Sequence, residues 1–221
     1  MSHAWSVMAR FCRVHALRAA AGLALVVLAA CGFQLRGETP LPFHTLYLGV
    51  QPNSKFGANL RRAVRAASPD TRLVDKPTEA EVIMQQVENR RSVTNTSLNA
   101  QGQVEEYELS VHFTFRLIDS KGNAILPDTS FTAYREMPYN NEAAQALTAE
   151  MESLYVAMEQ SLTNRVVRRM TAADVRENYD KLIHNQPNPN MPVFDPSKAT
   201  PEKAMPPAWT NPANYLNSPP K

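Results

Sequence analysis

The chain has 221 residues, of which 43% are hydrophobic, and it carries 23 basic against 21 acidic side chains. A balance this close to neutral gives no support to nucleic-acid binding, which needs clustered positive charge to displace counterions. Only seven glycines and two cysteines are present, and no Walker loop, GxGxxG or GxSxG sequence occurs.

Arg10, Arg13 and Arg18 fall within a first thirty residues that contain no acid, and the stretch from Ala19 to Ala30 is apolar. About a dozen residues cannot span a bilayer core of ~30 Å, which takes ~20 in a helix. A basic region, a short apolar region and small residues before a cut site describe a secretory signal. The run Leu28-Ala29-Ala30-Cys31 puts a cysteine directly after the small residues, the pattern of a bacterial lipoprotein signal over residues 1–30, with Cys31 as the lipid attachment point. Removing that segment leaves 191 residues with 20 basic and 21 acidic side chains, enough for one domain with a real core. With Cys12 gone and Cys31 acylated, no thiol remains for a disulfide or a metal. His44, His112 and His184 are too widely spaced for a zinc site, so neither a metal nor a cofactor is expected.

Residues 31–44 contain Gly32, Gly37, Pro40 and Pro42 and read as an extended tether ahead of a domain at 45–185. Thr45 to Val50 is a short β-prone run, and Pro52-Asn53-Ser54 then offers a helix N-cap. Phe56, Leu60, Ala63, Val64 and Ala67 recur at helical spacing until Ser68-Pro69-Asp70 stops the helix. Lys55, Arg61, Arg62 and Arg65 form its solvated face. Val82 to Val93 is a mixed alternation consistent with a strand, and Thr94 to Gly102 reads as a polar loop. Tyr107, Leu109, Val111, Phe113, Phe115 and Leu117 alternate with polar residues, which predicts a long strand with one buried face and His112 on the other. Asp119-Ser-Lys-Gly-Asn123 reads as a hairpin loop, and Ile125 to Arg135 as the returning strand, with Pro127 near its start. Asn140 or Asn141 caps a long helix whose apolar residues run from Ala144 to about Met170. Residues 186–221 contain ten of the seventeen prolines and few aliphatics, and they read as a disordered tail.

The predicted fold class is α+β, a two-layer sandwich of a mainly antiparallel four-stranded sheet with two helices on one face. The second face must then be solvated or covered by a partner. Glu106 and Glu108 lie on the polar strand face, and no nucleophile and base are paired by local spacing, so the chain does not read as an enzyme.

Cys31-Gly32-Phe33-Gln34-Leu35-Arg36-Gly37 resembles the mature start of the LPS-assembly lipoprotein LptE family. The resemblance extends over roughly residues 20–170 through Asn59-Leu60-Arg61-Arg62-Ala63-Val64, Gly102-Gln103-Val104-Glu105-Glu106-Tyr107-Glu108-Leu109 and Ala133-Tyr134-Arg135. It implies an outer-membrane lipoprotein, lipid-anchored on the periplasmic side and seated in the lumen of the LptD β-barrel as plug and assembly partner. The pair would insert lipopolysaccharide into the outer leaflet. Gly32, rather than aspartate, after the cysteine agrees with outer-membrane sorting. Ala100 and Thr132 stand where the family can place basic residues, leaving Arg90, Arg91, Lys121 and Arg135 as candidate lipopolysaccharide-binding cations. The alternative is an envelope scaffold or pilotin-type lipoprotein with another barrel or a secretin as partner.

Overall fold

The structure is a computed structural model that describes residues 40–139, 144–186 and 188–199. Strand β1 (Thr45–Gly49) leads through helix α1 (Lys55–Ala67) to β2 (Arg72–Val74), which lies parallel beside it. On its other side β1 pairs in parallel with β3 (Val82–Leu98). Strands β3, β4 (Val104–Asp119) and β5 (Ala124–Pro138) form an antiparallel meander. The sheet order is β2-β1-β3-β4-β5. Helices α2 (Ala144–Met170) and α3 (Ala173–Ile183) follow.

The α+β class is as expected, but among the described residues the sheet has five strands rather than four, two of its pairings are parallel, and there are three α-helices rather than two. Arg72-Leu-Val74 is too short to show an alternation of its own. The crossover through α1 brings it beside β1, as a βαβ unit requires. Helix α3 was missed because the chain breaks for only two residues after Met170, and the Arg169 guanidinium bridges that break with paired bonds to Asp174 at 2.8 and 2.7 Å.

Local signals explain each element. Ser54 caps α1, its hydroxyl accepting from the Gly57 amide at 2.9 Å. Phe56, Leu60 and Val64 are buried on the inner face of that helix, and Phe56 meets Phe113 of β4 at 4.8 Å between ring centroids. From α2, Tyr155, Met158, Leu162, Val166 and Met170 enter the same core. Each large side chain buried this way contributes ~1.5–3 kcal/mol before ordering costs are subtracted. Leu41 and Phe43 are also in this core. The Leu41 amide donates to Ser68 Oγ at 3.1 Å, and Thr71 donates to the Phe43 carbonyl at 3.0 Å. The folded domain therefore begins before residue 45, and the described end of the expected tether belongs to it.

Strand β3 runs on through the polar stretch expected to be a loop and ends at Leu98, so the β3–β4 turn shrinks to residues 99–103. Seventeen residues at ~3.3 Å each make a strand of about 55 Å. A bulge between Gln86 and Glu88 reverses its alternation: Met84, opposite Leu117, faces the helices, and so does Arg91, opposite Val111. Arg91 is thereby turned inward.

The segment after residue 186 is not uniformly free of structure. Residues 188–199 include an antiparallel bridge from Val193 to Asn123 and a 3-10 turn at Pro196–Ala199 that buries Ala199. Proline-rich composition disfavours a core, but it permits a short strap to lie on one that already exists.

Candidate functional site

The sheet has one face under the helices and a second face of mixed character. At the base of the second face, near the β4–β5 turn, Tyr47, Val74, Ala80, Ile83 and Ile118 make a separate apolar cluster, completed by Ala199 and Phe194. Toward the β3–β4 turn the same face becomes polar. Ser92 and Ser110 hydroxyls meet at 2.6 Å, and Thr114 and Ser130 at 2.8 Å. His112 Nδ1 lies 2.9 Å from Thr132 Oγ1, and its Nε2 is 3.2 Å from both Glu88 Oε2 and Thr114 Oγ1. Apart from His112–Thr114, which are neighbours on one face of β4, these are cross-strand contacts among β3, β4 and β5, so one ladder of hydroxyls, imidazole and carboxylate spans three strands. Tyr134, 55% exposed, stands on this face opposite Ser110.

Thr132, His112 and Glu88 follow the order nucleophile, base, orienting acid. The group nevertheless lies on the open polar face of the sheet at its edge strand, with the His112 and Glu88 side chains 29% and 40% exposed, rather than in a cleft that excludes water. What the ladder offers is a level surface of donors and acceptors.

The predicted cations are not brought together. Arg91 Nε and Nη2 donate to Glu159 Oε1 at 2.9 and 2.6 Å, Nη1 donates to Glu152 Oε2 at 2.9 Å, and the guanidinium stacks 4.8 Å from the Tyr155 ring centroid. Burial works against its charge, but Glu159 and Glu152 outweigh it and hold the Arg91 pKa above its ordinary value. Burial raises the Glu159 carboxyl, with Arg91 pulling it back down. Arg90 is exposed on the second face, beside Glu88 at 3.1 Å. Arg135 pairs opposite Leu109 on the helix side, is exposed, and donates to the Tyr134 carbonyl at 2.9 Å. Lys121 sits in the β4–β5 turn at the base. Cys31 lies outside the described residues. Sequence reading missed Glu152 and Glu159 as partners of Arg91; their seven-residue spacing on one face of α2 was the available signal.

The described residues thus define an α+β two-layer sandwich with a long polar sheet face and a shielded apolar base. Among the described residues no helix is long and apolar enough to cross a membrane. The lipopolysaccharide-assembly family LptE matches residues 43–170. An LPS-assembly lipoprotein LptE of Yersinia enterocolitica is 30% identical over 177 residues, covering 75% of this chain and 83% of the relative. That of Pectobacterium atrosepticum is 26% identical over 171 residues, covering 76% and 91%. Among solved structures, the uncharacterized lipoprotein B of Nitrosomonas europaea superposes with a TM-score of 0.55 at 26% identity, covering 71% of this chain and 99% of that one. The rare lipoprotein B of Shewanella oneidensis shares the fold, with a TM-score of 0.51 at 19% identity, covering 61% of this chain and 98% of that one. The chain belongs to the LptE family of lipopolysaccharide-assembly lipoproteins.

Proposed function

We propose that this protein is an outer-membrane lipoprotein, acylated at Cys31, that plugs and helps to assemble the LptD β-barrel and takes part in inserting lipopolysaccharide into the outer leaflet. Family membership over residues 43–170 is the observation that carries the reading. The polar ladder on β3, β4 and β5 supports it physically, because the interior wall of a large barrel is itself polar and can exchange hydrogen bonds with such a surface. The three acyl chains of a mature lipoprotein would hold it at the membrane, where a single chain anchors only marginally. The domain then works by docking rather than by chemistry. Lipopolysaccharide phosphates would meet Arg90, Lys121 and Arg135, since Arg91 is committed to Glu159 and Glu152.

Detergent extraction of outer membranes containing the full lipidated chain tests the proposal. Stoichiometric recovery with a large β-barrel is expected, together with loss of surface lipopolysaccharide on depletion. Recovery as a free monomer with surface lipopolysaccharide unchanged would refute it.

A further inference from the structure

Residues Pro192–Ala199, beyond the segment that the family matches, rest in a seat drawn from the five strands and the β4–β5 turn. The Ala124 amide donates to the Pro192 carbonyl at 3.1 Å, and the Phe194 amide donates to the Gly122 carbonyl at 2.8 Å. Arg116, held by Asp128 at 2.7 Å, lies with its guanidinium carbon 3.7 Å from the Phe194 ring centroid. Gln85, only 5% exposed, donates its side-chain amide to the Asp195 carbonyl at 2.7 Å, and this bond satisfies a polar group that is otherwise costly to bury. Ala199 is 1% exposed and completes the apolar cluster of Tyr47, Val74, Ile83 and Ile118.

Two glycines shape the seat. A Cβ at Gly122, which has a φ of +91°, would come within 2.0 Å of the Phe194 carbonyl oxygen, and one at Gly49 within 2.5 Å of the Ala199 carbonyl oxygen. Gly49, Gln85, Arg116 and Gly122 come from β1, β3, β4 and the β4–β5 turn. They meet one octapeptide through shape, a carbonyl, an aromatic ring and a small residue. The cluster beneath the strap is separate from the core under the helices, so lifting the strap need not open that core.

We propose that this seat is a peptide-docking site whose occupant is the chain's own C-terminal segment, making residues 192–199 a fastener that keeps the apolar base of the second face closed. The site reads a peptide that runs extended through an aromatic residue and then closes into a 3-10 turn, with the carbonyl after the aromatic residue opposite Gln85 and a small residue against Gly49.

The test uses the chain from residue 31 onward carrying Cys31→Ser. Phe194→Asp with Ala199→Asp should unseat the strap, raise binding of a hydrophobic dye severalfold and create a site for a labelled free peptide of sequence 192–199. The parent chain, its seat filled, should bind neither dye nor peptide. Adding Arg116→Ala to the unseated chain should weaken peptide binding severalfold. Should the unseated chain fail to fold, Asn123→Cys with Val193→Cys supplies an independent reading. These positions form a non-hydrogen-bonded antiparallel pair, with Cα atoms expected about 4.5 Å apart, within disulfide range. Air oxidation should join them without reshaping the domain. An unseated chain that folds but takes up neither dye nor peptide, a parent that binds peptide equally well, or cysteines that stay reduced would each overturn the proposal.

Discussion

Arg91 of β3 grips Glu159 of α2 with two nitrogens on one carboxylate oxygen, at 2.9 and 2.6 Å, and so ties the sheet to its longest helix. The side chain of Glu159 is only 7% exposed and that of Arg91 17%. Removing one partner of such a pair leaves a buried charge uncompensated, a loss of ~3–5 kcal/mol, whereas replacing both with well-packed apolar groups is often neutral. Glu159→Ala would leave Arg91 its bond to Glu152, whereas Arg91→Met strands the buried Glu159 carboxylate. Arg91→Met should therefore lower the denaturant midpoint strongly, and adding Glu159→Leu should recover most of the loss. A change below about 1 kcal/mol for Arg91→Met would show that the pair is not structural.

The three other predicted cations should act independently. Arg90 and Arg135 lie on opposite faces of the sheet, and Lys121 is about nine residues, or roughly 30 Å, further along β4 from the His112 level. Groups so far apart add rather than couple. Alanine at each position should weaken lipopolysaccharide capture modestly, with the triple variant equal to the sum in free energy and with unfolding midpoints unchanged. Strong synergy among the three in a binding titration would mean that one site gathers them, contrary to this placement.

Those placements show what the sequence made legible. Strand β4 has no interruption between Tyr107 and Leu117, so its period-two pattern alone assigned the buried and open faces and set His112 on the open one. The spacing of Phe56, Leu60 and Val64 marked α1 for the same reason. Strand β3 could not be read that way, because one extra residue at Val87 reverses the alternation and sends Arg91 inward. The parallel pairing of β2 and the seating of Phe194 on Arg116 are contacts between distant segments. Their partners lie tens of residues away, and no local period encodes them. Proline content also misdirected the reading of residues 188–199, since composition reports the capacity to form a core and not the capacity to lie on one.

Tyr179 gives the domain an alkaline limit. Its ring packs edge-on against Phe43 at 5.7 Å, and its hydroxyl donates to Glu81 Oε2 at 3.2 Å. Burial, then the Glu81 charge, pushes its pKa up to about 12 from an ordinary 10.0. The folded state thus keeps a proton that the unfolded chain releases first. Stability from this group is complete below pH 10 and is lost as pH rises from there toward 12. Tyr179→Phe should flatten that part of the stability curve while leaving the neutral-pH slope alone. An unaltered alkaline limb in urea unfolding at stepped pH would contradict this assignment.

The two positive-φ glycines separate turn strain from strap seating. Gly102, at the β3–β4 turn with φ +77°, has nothing within 4 Å of an added Cβ, whereas Gly122, with φ +91°, would meet the Phe194 carbonyl. Both alanine variants carry the left-handed penalty of ~1–2 kcal/mol. Only Gly122→Ala must also displace residues 192–199, so it should lose more stability and, unlike Gly102→Ala, expose Ile118 and its neighbours. Hydrogen exchange makes the comparison directly. In Gly122→Ala the Phe194 and Ala124 amides, which bond across the strap at 2.8 and 3.1 Å, should lose protection, and in Gly102→Ala they should keep it. Equal protection of those two amides in both variants would mean that the strap tolerates a side chain at Gly122 and that the close approach there is not what seats it.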